Sequence, residues 1–346
     1  MRRPFRNVTA FVFGVCFSCF AHPATSPPDE LIALGRSLFS EPALSRDGKI
    51  SCQSCHDRAR AFADPKAQSV GVDGRRGTRN APSLVDVSSR PSLFWDGRRS
   101  RLDAAVLDPL TNPAEMGWPS LSELREKLRT NVQAMRQFKT AFPQDKIWAT
   151  DDQMSKALVA FLGTLKTGDS EFDKASAKRE PLPPEAELGR RLFTGIAQCS
   201  QCHTIDESNS RFTDEKFHHS GIGNASQLEA LPKLAFTVTQ THLNESQLGP
   251  KVLTDREWSL LGRFVVSLHP EDIGAFRTPS LRNVAVTAPY MHDGSIATLA
   301  EAVDHEVYYR GFSSGRPINL SDVERRALVA FLKTLTNSEY LAGPAK

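Results

Sequence analysis

Three things are in short supply in this sequence, and each shortage narrows what the protein can be. There is no apolar stretch long enough to stay in a bilayer. The run VTAFVFGVCFSCFA, which follows Arg2, Arg3 and Arg6, falls short of the ~20 residues that a spanning helix needs and is rich in small residues. It reads as a cleavable export signal over residues 1–21, cut after Ala21, so no permanent membrane span is expected. Charge of one sign is lacking as well. The chain has 43 basic and 40 acidic residues, and three of the basic ones lie in the leader, so the mature protein balances at 40 of each. A neutral chain carries no electrostatic footprint for nucleic acid or an anionic membrane. Cysteine is the third shortage: there are six, of which Cys16 and Cys19 fall in the leader without a convincing lipoprotein cleavage motif, and four remain.

In an exported protein four cysteines would ordinarily make two disulfides. Here each pair is separated by two residues and followed at once by histidine: C-Q-S-C-H at 52–56 and C-S-Q-C-H at 199–203. Two thiols at that spacing can add to the two vinyl groups of one porphyrin, and the adjoining histidine ligates the iron from the same side. A structural zinc would need four ligands, and neither half offers a second Cys pair or a spaced His pair. Two covalently bound haem c groups are therefore expected, one through Cys52, Cys55 and His56, the other through Cys199, Cys202 and His203, with His56 and His203 on the irons.

The chain repeats itself at three places. IALGRSLFS (32–40) matches AELGRRLFTG (186–195), with Leu, Leu and Phe at helical spacing. ALVAFLGTLKT (157–167) matches ALVAFLKTLTN (327–337), each after a polar start suited to a helix N-terminus. NAPSLVDVSSRPSLFWDG around Trp95 aligns without a gap on RTPSLRNVAVTAPYMHDG around His292. Between the halves, 167–187 is polar, charged and proline-bearing, and reads as a linker. The expected architecture is mostly α, with two tandem c-type cytochrome domains at 22–166 and 188–346, each carrying one haem.

Whether an iron carries electrons or does chemistry depends on its sixth position. Histidines fall at 22, 56, 203, 218, 219, 242, 269, 292 and 305, so the first domain owns none beyond His56 except His22 at the new terminus. Met116, Met135 and Met154 are its other possible ligands, and the last two lie in helix-like stretches where methionine usually packs in the core. The first haem is accordingly read as open and reactive. The second domain offers Met291, His292, His305, Tyr308 and Tyr309, and a filled position is expected there.

Over nearly its whole mature length the chain resembles the bacterial dihaem cytochrome c peroxidase and MauG superfamily. The resemblance rests on both C-x-x-C-H motifs, GVDGRRGTRNAPSL (71–84), FWDGR (94–98), DPLTNPAEMG (108–117) and TPSLRNVAVTAPYMHDG (278–294). It implies that the N-terminal haem meets hydrogen peroxide, that the C-terminal haem passes or stores oxidising equivalents, and that Trp95 bridges them. It implies a distal carboxylate, Glu115, that shuttles peroxide protons. It also implies one calcium ion held by the Asn80 side chain and the carbonyls of Thr287 and Pro289.

The sequence departs from that pattern at three points. A histidine that closes the peroxidatic haem in many resting peroxidases would align with Val72, which cannot bind iron. A distal glutamine aligns with Ala105, leaving Glu115 more of the work. At the second haem, where peroxidases carry Met and MauG carries Tyr, strict counting lands on Glu306. Aligning DHEVYYRG from Arg310 and Gly311 instead puts Tyr308 at the ligand position, with Tyr309 next; a phenolate there would favour high-valent iron over simple electron carriage.

The expected protein is a periplasmic dihaem enzyme that uses hydrogen peroxide to oxidise a protein partner, nearer to MauG than to an ordinary peroxidase. The YYRG phrase and the missing closing histidine also resemble the MbnH branch, which oxidises a tryptophan on a partner. The alternatives are a peroxidase fed by a small cytochrome or cupredoxin, and a dihaem electron carrier without catalysis, whose irons would both be six-coordinate. One outcome tests the architecture directly: acid–acetone extraction of the denatured protein should leave two haems on each chain, whereas free haem in the extract would contradict the duplicated attachment motif.

Overall fold

The computed structural model describes residues 28–206, 210–223 and 229–341; the expected leader and His22 lie outside the described residues. Each half is built on a crossed pair of helices. In the first, Asp29–Ser40 packs on Asp151–Leu162; in the second, Pro184–Thr194 packs on Asp322–Lys333. Both closing helices begin with a capping box, Thr150 with Gln153 and Ser321 with Glu324, which satisfies two otherwise orphaned backbone donors. The opening helices bury Leu34, Leu38 and Phe39 in one half and Leu192 and Phe193 in the other, the stripe their spacing predicts.

What lets the pairs approach is the glycine of each L-G-R phrase. A Cβ on Gly35 would lie 1.9 Å from the Ala157 carbonyl oxygen, and one on Gly189 would lie 1.9 Å from that of Ala327. At that contact Phe39 meets Phe161 with ring centroids 5.2 Å apart, and Phe193 meets Phe331 at 5.3 Å. A third ring, Phe62 or Phe212, packs on each pair.

The ungapped repeat holds down to backbone angles. Asp86 and Asn283 both enter the left-handed region, at φ 56° and 60°, each ahead of a single 3₁₀ turn, Val87–Ser89 or Val284–Val286. Phe94 and Met291 do the same, and Leu93 bridges Arg99 as Tyr290 bridges Ile296. The two loops around Trp95 and His292 are thus one turn used twice.

Two features depart from the sequence reading. Within 167–187 a capped helix, Glu171–Ser176, buries Phe172 in the second core, and Asp173 accepts from Arg282 at 2.7 Å. One buried residue in a single short helix leaves no apolar period to detect. The second half also holds an unforeseen cluster between the strand Phe217–His219 and its antiparallel partner Ala275–Arg277. Helices Leu231–Gln240, Glu245–Thr254, Arg256–Leu260 and Phe264–Ser267 share a separate core of Leu234, Val238, Val252, Trp258, Leu261 and Phe264. This cluster is tied to the first half: Arg79 donates to Ser259 through Nε (2.9 Å) and Nη2 (2.7 Å), and Arg263 donates to the carbonyls of Asp96 and Gly97. No helix among the described residues is long and apolar enough to cross a membrane.

The crossing makes a stability prediction. Gly35→Ala or Gly189→Ala should cost about 2–3 kcal/mol, the range for overpacking a rigid contact, read from denaturant midpoints. Gly249→Ala, whose added carbon would meet nothing nearer than Arg98 Nε at 3.4 Å, should be nearly neutral in the same assay.

Candidate functional site

The two C-x-x-C-H segments fold alike. Cys52–Ser54 and Cys199–Gln201 each form one 3₁₀ turn, and the histidine that follows is pinned through one ring nitrogen. His56 Nδ1 lies 2.9 Å from the Phe62 carbonyl and His203 Nδ1 lies 2.9 Å from that of Phe212. Both phenylalanines have positive φ, 60° and 54°, which turns the carbonyl inward. A carbonyl only accepts, so Nδ1 must carry the proton and Nε2 keeps its lone pair for a metal. Burial lowers both imidazole pKa values, that of His203 to about 4, which keeps the rings in the neutral form a metal needs.

The four cysteines of the two motifs are unpaired. Burial pushes the Cys52 and Cys199 thiols up to about 12 and that of Cys55 to about 11. A redox dithiol requires the opposite shift, so this environment suits thiols held covalently by a cofactor. Beside the second pair, Asp214 and His218 bring ligand atoms within 4.8 Å of Cys202. Asp214 and His218 already bond each other at 2.7 Å, and three donors fall one short of a structural zinc site.

Each motif opens into a mainly apolar cavity. The first, of about 190 Å³, is lined by Cys52, Cys55, His56, Ala105 and Glu115 among others; the second, of about 220 Å³, by Cys199, Cys202, His203, Met291 and Glu306 among others. A slot with two thiols and one free imidazole nitrogen fits a covalently held porphyrin. Neither half builds its cavity alone: Leu253 reaches the first from the helical cluster, and Ala63, Ser83 and Val85 reach the second. Five residues, Asn80, Pro82, Arg90, Trp95 and Arg277, line both. Trp95 is buried in this common wall, its Nε1 donating to the Asn80 carbonyl at 2.9 Å and its own carbonyl accepting from Arg277 N at 2.9 Å.

In the first cavity Glu115 is half-buried, and its carbonyl is held by Val72 N at 2.8 Å. Burial pushes its carboxyl up to about 7, while Arg98 pulls the other way. Val72 is buried and packs against Gly117, outside the lining, so His56 is the one histidine lining this cavity among the described residues. Met116 lines it too but is buried in the first core; Met135 and Met154 pack in that core and do not line it.

The second cavity is lined without either tyrosine of the YYRG phrase. Tyr308 does not reach it: the side chain is 72 % exposed and stacks on Phe312. The helix Leu299–Ser313 turns Leu299, Ala302, Val303, Glu306, Val307 and Arg310 inward, and Tyr308, two residues beyond Glu306, faces out. Tyr309 stacks on His305 and borders Gly221, also outside the lining. Glu306, where strict counting falls, is the residue on the cavity face. Asn80, Thr287 and Pro289 all line the same cavity, and Asn80 Nδ2 donates to the Lys66 carbonyl at 2.9 Å.

Comparisons with known proteins agree with this geometry. Residues 29–181 match the family model described as di-haem cytochrome c peroxidase. The methylamine utilization protein MauG of Methylorubrum extorquens is 32% identical over 91% of this chain and 80% of its own. The cytochrome c551 peroxidase of Nitrosomonas europaea is 31% identical over 90% and 81%. The chain belongs to the di-haem cytochrome c peroxidase family. Among solved structures, a MauG-like protein associated with microbial copper homeostasis superposes with a TM-score of 0.74 at 29% identity, covering 93% of this chain and 94% of that one. The chain is a peroxidase-type oxidoreductase of mostly helical fold, and its family implies two haems.

In this di-haem peroxidase several site residues were not legible in the sequence. Arg90 and Arg277, which line both cavities, and the His218–Asp214 pair lie outside any attachment motif. Leu253 belongs to a segment without a counterpart in the first half, so the repeat gave no pointer to it. The Glu115 environment yields a direct test: difference infrared spectra of the holoprotein should show a protonated carboxyl that ionises with a midpoint of about 7 and vanishes in Glu115→Gln. An ordinary carboxylate midpoint near 4 would contradict the desolvated setting.

Proposed function

We propose that this protein is a periplasmic di-haem enzyme that uses hydrogen peroxide to oxidise a partner protein, on the pattern of MauG. Cys52, Cys55 and His56 carry the peroxide-facing haem, and Cys199, Cys202 and His203 carry the second. Each haem supplies redox-active iron. A calcium ion held by Asn80, Thr287 and Pro289 sits between the halves in this reading. The observation that carries the proposal is the first cavity's lining, in which His56 is the one histidine among the described residues, so in this reading no protein histidine has to leave before peroxide enters.

The chain's own groups then have definite tasks. Glu115, poised at about 7, takes a proton from incoming peroxide and returns it to the departing oxygen. Arg98 moderates its charge, and Ala105 supplies no hydrogen bond. Trp95, common to both cavities and held at both its indole nitrogen and its carbonyl, is the fixed aromatic through which oxidising equivalents pass toward the second site. The second reading, a peroxidase that takes electrons from a small cytochrome or cupredoxin, draws on the similarity to a named cytochrome c551 peroxidase.

Stopped-flow mixing with peroxide separates them. The ferric protein as isolated should react without prior reduction; an obligatory reductive step would favour the second reading. The rate should rise as pH passes upward through about 7, because Glu115 acts as a base only when ionised. Glu115→Gln, which keeps size but removes the base, should slow the reaction about 10²–10⁴-fold and abolish that pH dependence, with both haems still attached. A change within about twofold would return Glu115 to an incidental role.

A further inference from the structure

The two cavities are alike in a way the repeat did not advertise. Each has a single carboxylate in its lining among the described residues: Glu115 in the first, Glu306 in the second. Each lies near its own attachment cysteines, for the charge of Glu115 is felt at both Cys52 and Cys55, and that of Glu306 at both Cys199 and Cys202. They reach those posts from different elements, a turn after Asp108–Thr111 and the helix Leu299–Ser313.

Other donors line the second cavity, and two of its histidines are engaged elsewhere. His218 Nε2 bonds Asp214 at 2.7 Å, and His219 Nε2 bonds the Ile273 carbonyl at 3.1 Å. His292, whose Nε2 has no hydrogen-bond partner among the described residues, lies flat on Phe276 with ring centroids 3.6 Å apart, in the position that Trp95 takes in the first half, so its ring is packed in the wall between Phe276 and the cavity. Met291 repeats Phe94, with the same left-handed backbone. Among the described residues Glu306 is paired with Arg310 Nε at 3.6 Å, one turn along the same helix, which offsets its charge without a hydrogen bond and leaves its oxygens available.

We propose that Glu306, rather than a tyrosine or methionine, supplies the sixth ligand of the haem attached at Cys199 and Cys202. A carboxylate is a hard, anionic oxygen donor and favours ferric over ferrous iron, as a thioether does not. This site would therefore hold its iron oxidised through an oxygen ligand, as a phenolate would, while the tyrosines of the same helix stay outside.

The test is spectroscopic and does not depend on which substrate is oxidised. In the holoprotein, Glu306→Ala and Glu306→Gln should change the ferric absorption and electron paramagnetic resonance of one haem of the two. They should also raise that haem's midpoint potential, by ~59 mV for each tenfold of lost ferric preference. Tyr308→Phe should leave spectra and potentials as they are. If Glu306→Ala loses its second haem, Glu306→Gln, which keeps the volume, carries the comparison. Unchanged spectra and potentials in Glu306→Gln would overturn the assignment, and so would the same changes appearing in Tyr308→Phe or in Met291→Leu.

Discussion

Backbone contact at two helix crossings governs the rest of this molecule. Where Gly35 meets the Ala157 carbonyl, and Gly189 that of Ala327, no side chain can intervene. The close approach sets Phe39 at a tilt against Phe161 and Phe193 edge-on against Phe331, and one more ring, Phe62 or Phe212, packs beside each pair. That third ring holds its own backbone in the left-handed region, which aims a carbonyl at the histidine of the attachment motif. Removing the carbonyl's aim would free the imidazole to present either nitrogen, so the metal-binding nitrogen is chosen by packing some distance away.

Much of this was legible because it was written twice. Cys52, Cys55 and His56 and their second-half partners declare themselves by spacing, and the repeats around Phe161 and Phe331 mark the helix pairs. Trp95 and Glu115 were reached through resemblance, and both line the first cavity. For Tyr308 the sequence left two alignments of DHEVYYRG open, and a helix turns positions two residues apart to different faces, so that Glu306 and not Tyr308 lines the cavity. The cluster around Trp258 was invisible as architecture, since it has no twin and its short helices carry little periodicity.

Around the cavities the protein concentrates buried positive charge. Arg79 and Arg98 share the fully buried Asp96, Arg277 pairs with Glu215, and Arg282 pairs with Asp173. Each guanidinium has lost its water, and the matching carboxylate offsets much of that cost. Arg90 is the exception: it donates to the Val85 carbonyl, and burial pulls it down to about 9. Lining both cavities, it is suited to face the anionic edge of a cofactor.

The residues shared by the two cavities also bear on how such a chain can change over generations. Duplicated halves are ordinarily free to diverge, each copy tolerating what the other would not. At Asn80, Pro82, Arg90, Trp95 and Arg277 that freedom is absent, since a mutation there is inherited by both cofactor environments at once. Specialisation of one half for a new oxidant or a new partner must therefore be found elsewhere: in the segment that contributes Leu253, or along the helix that carries Glu306.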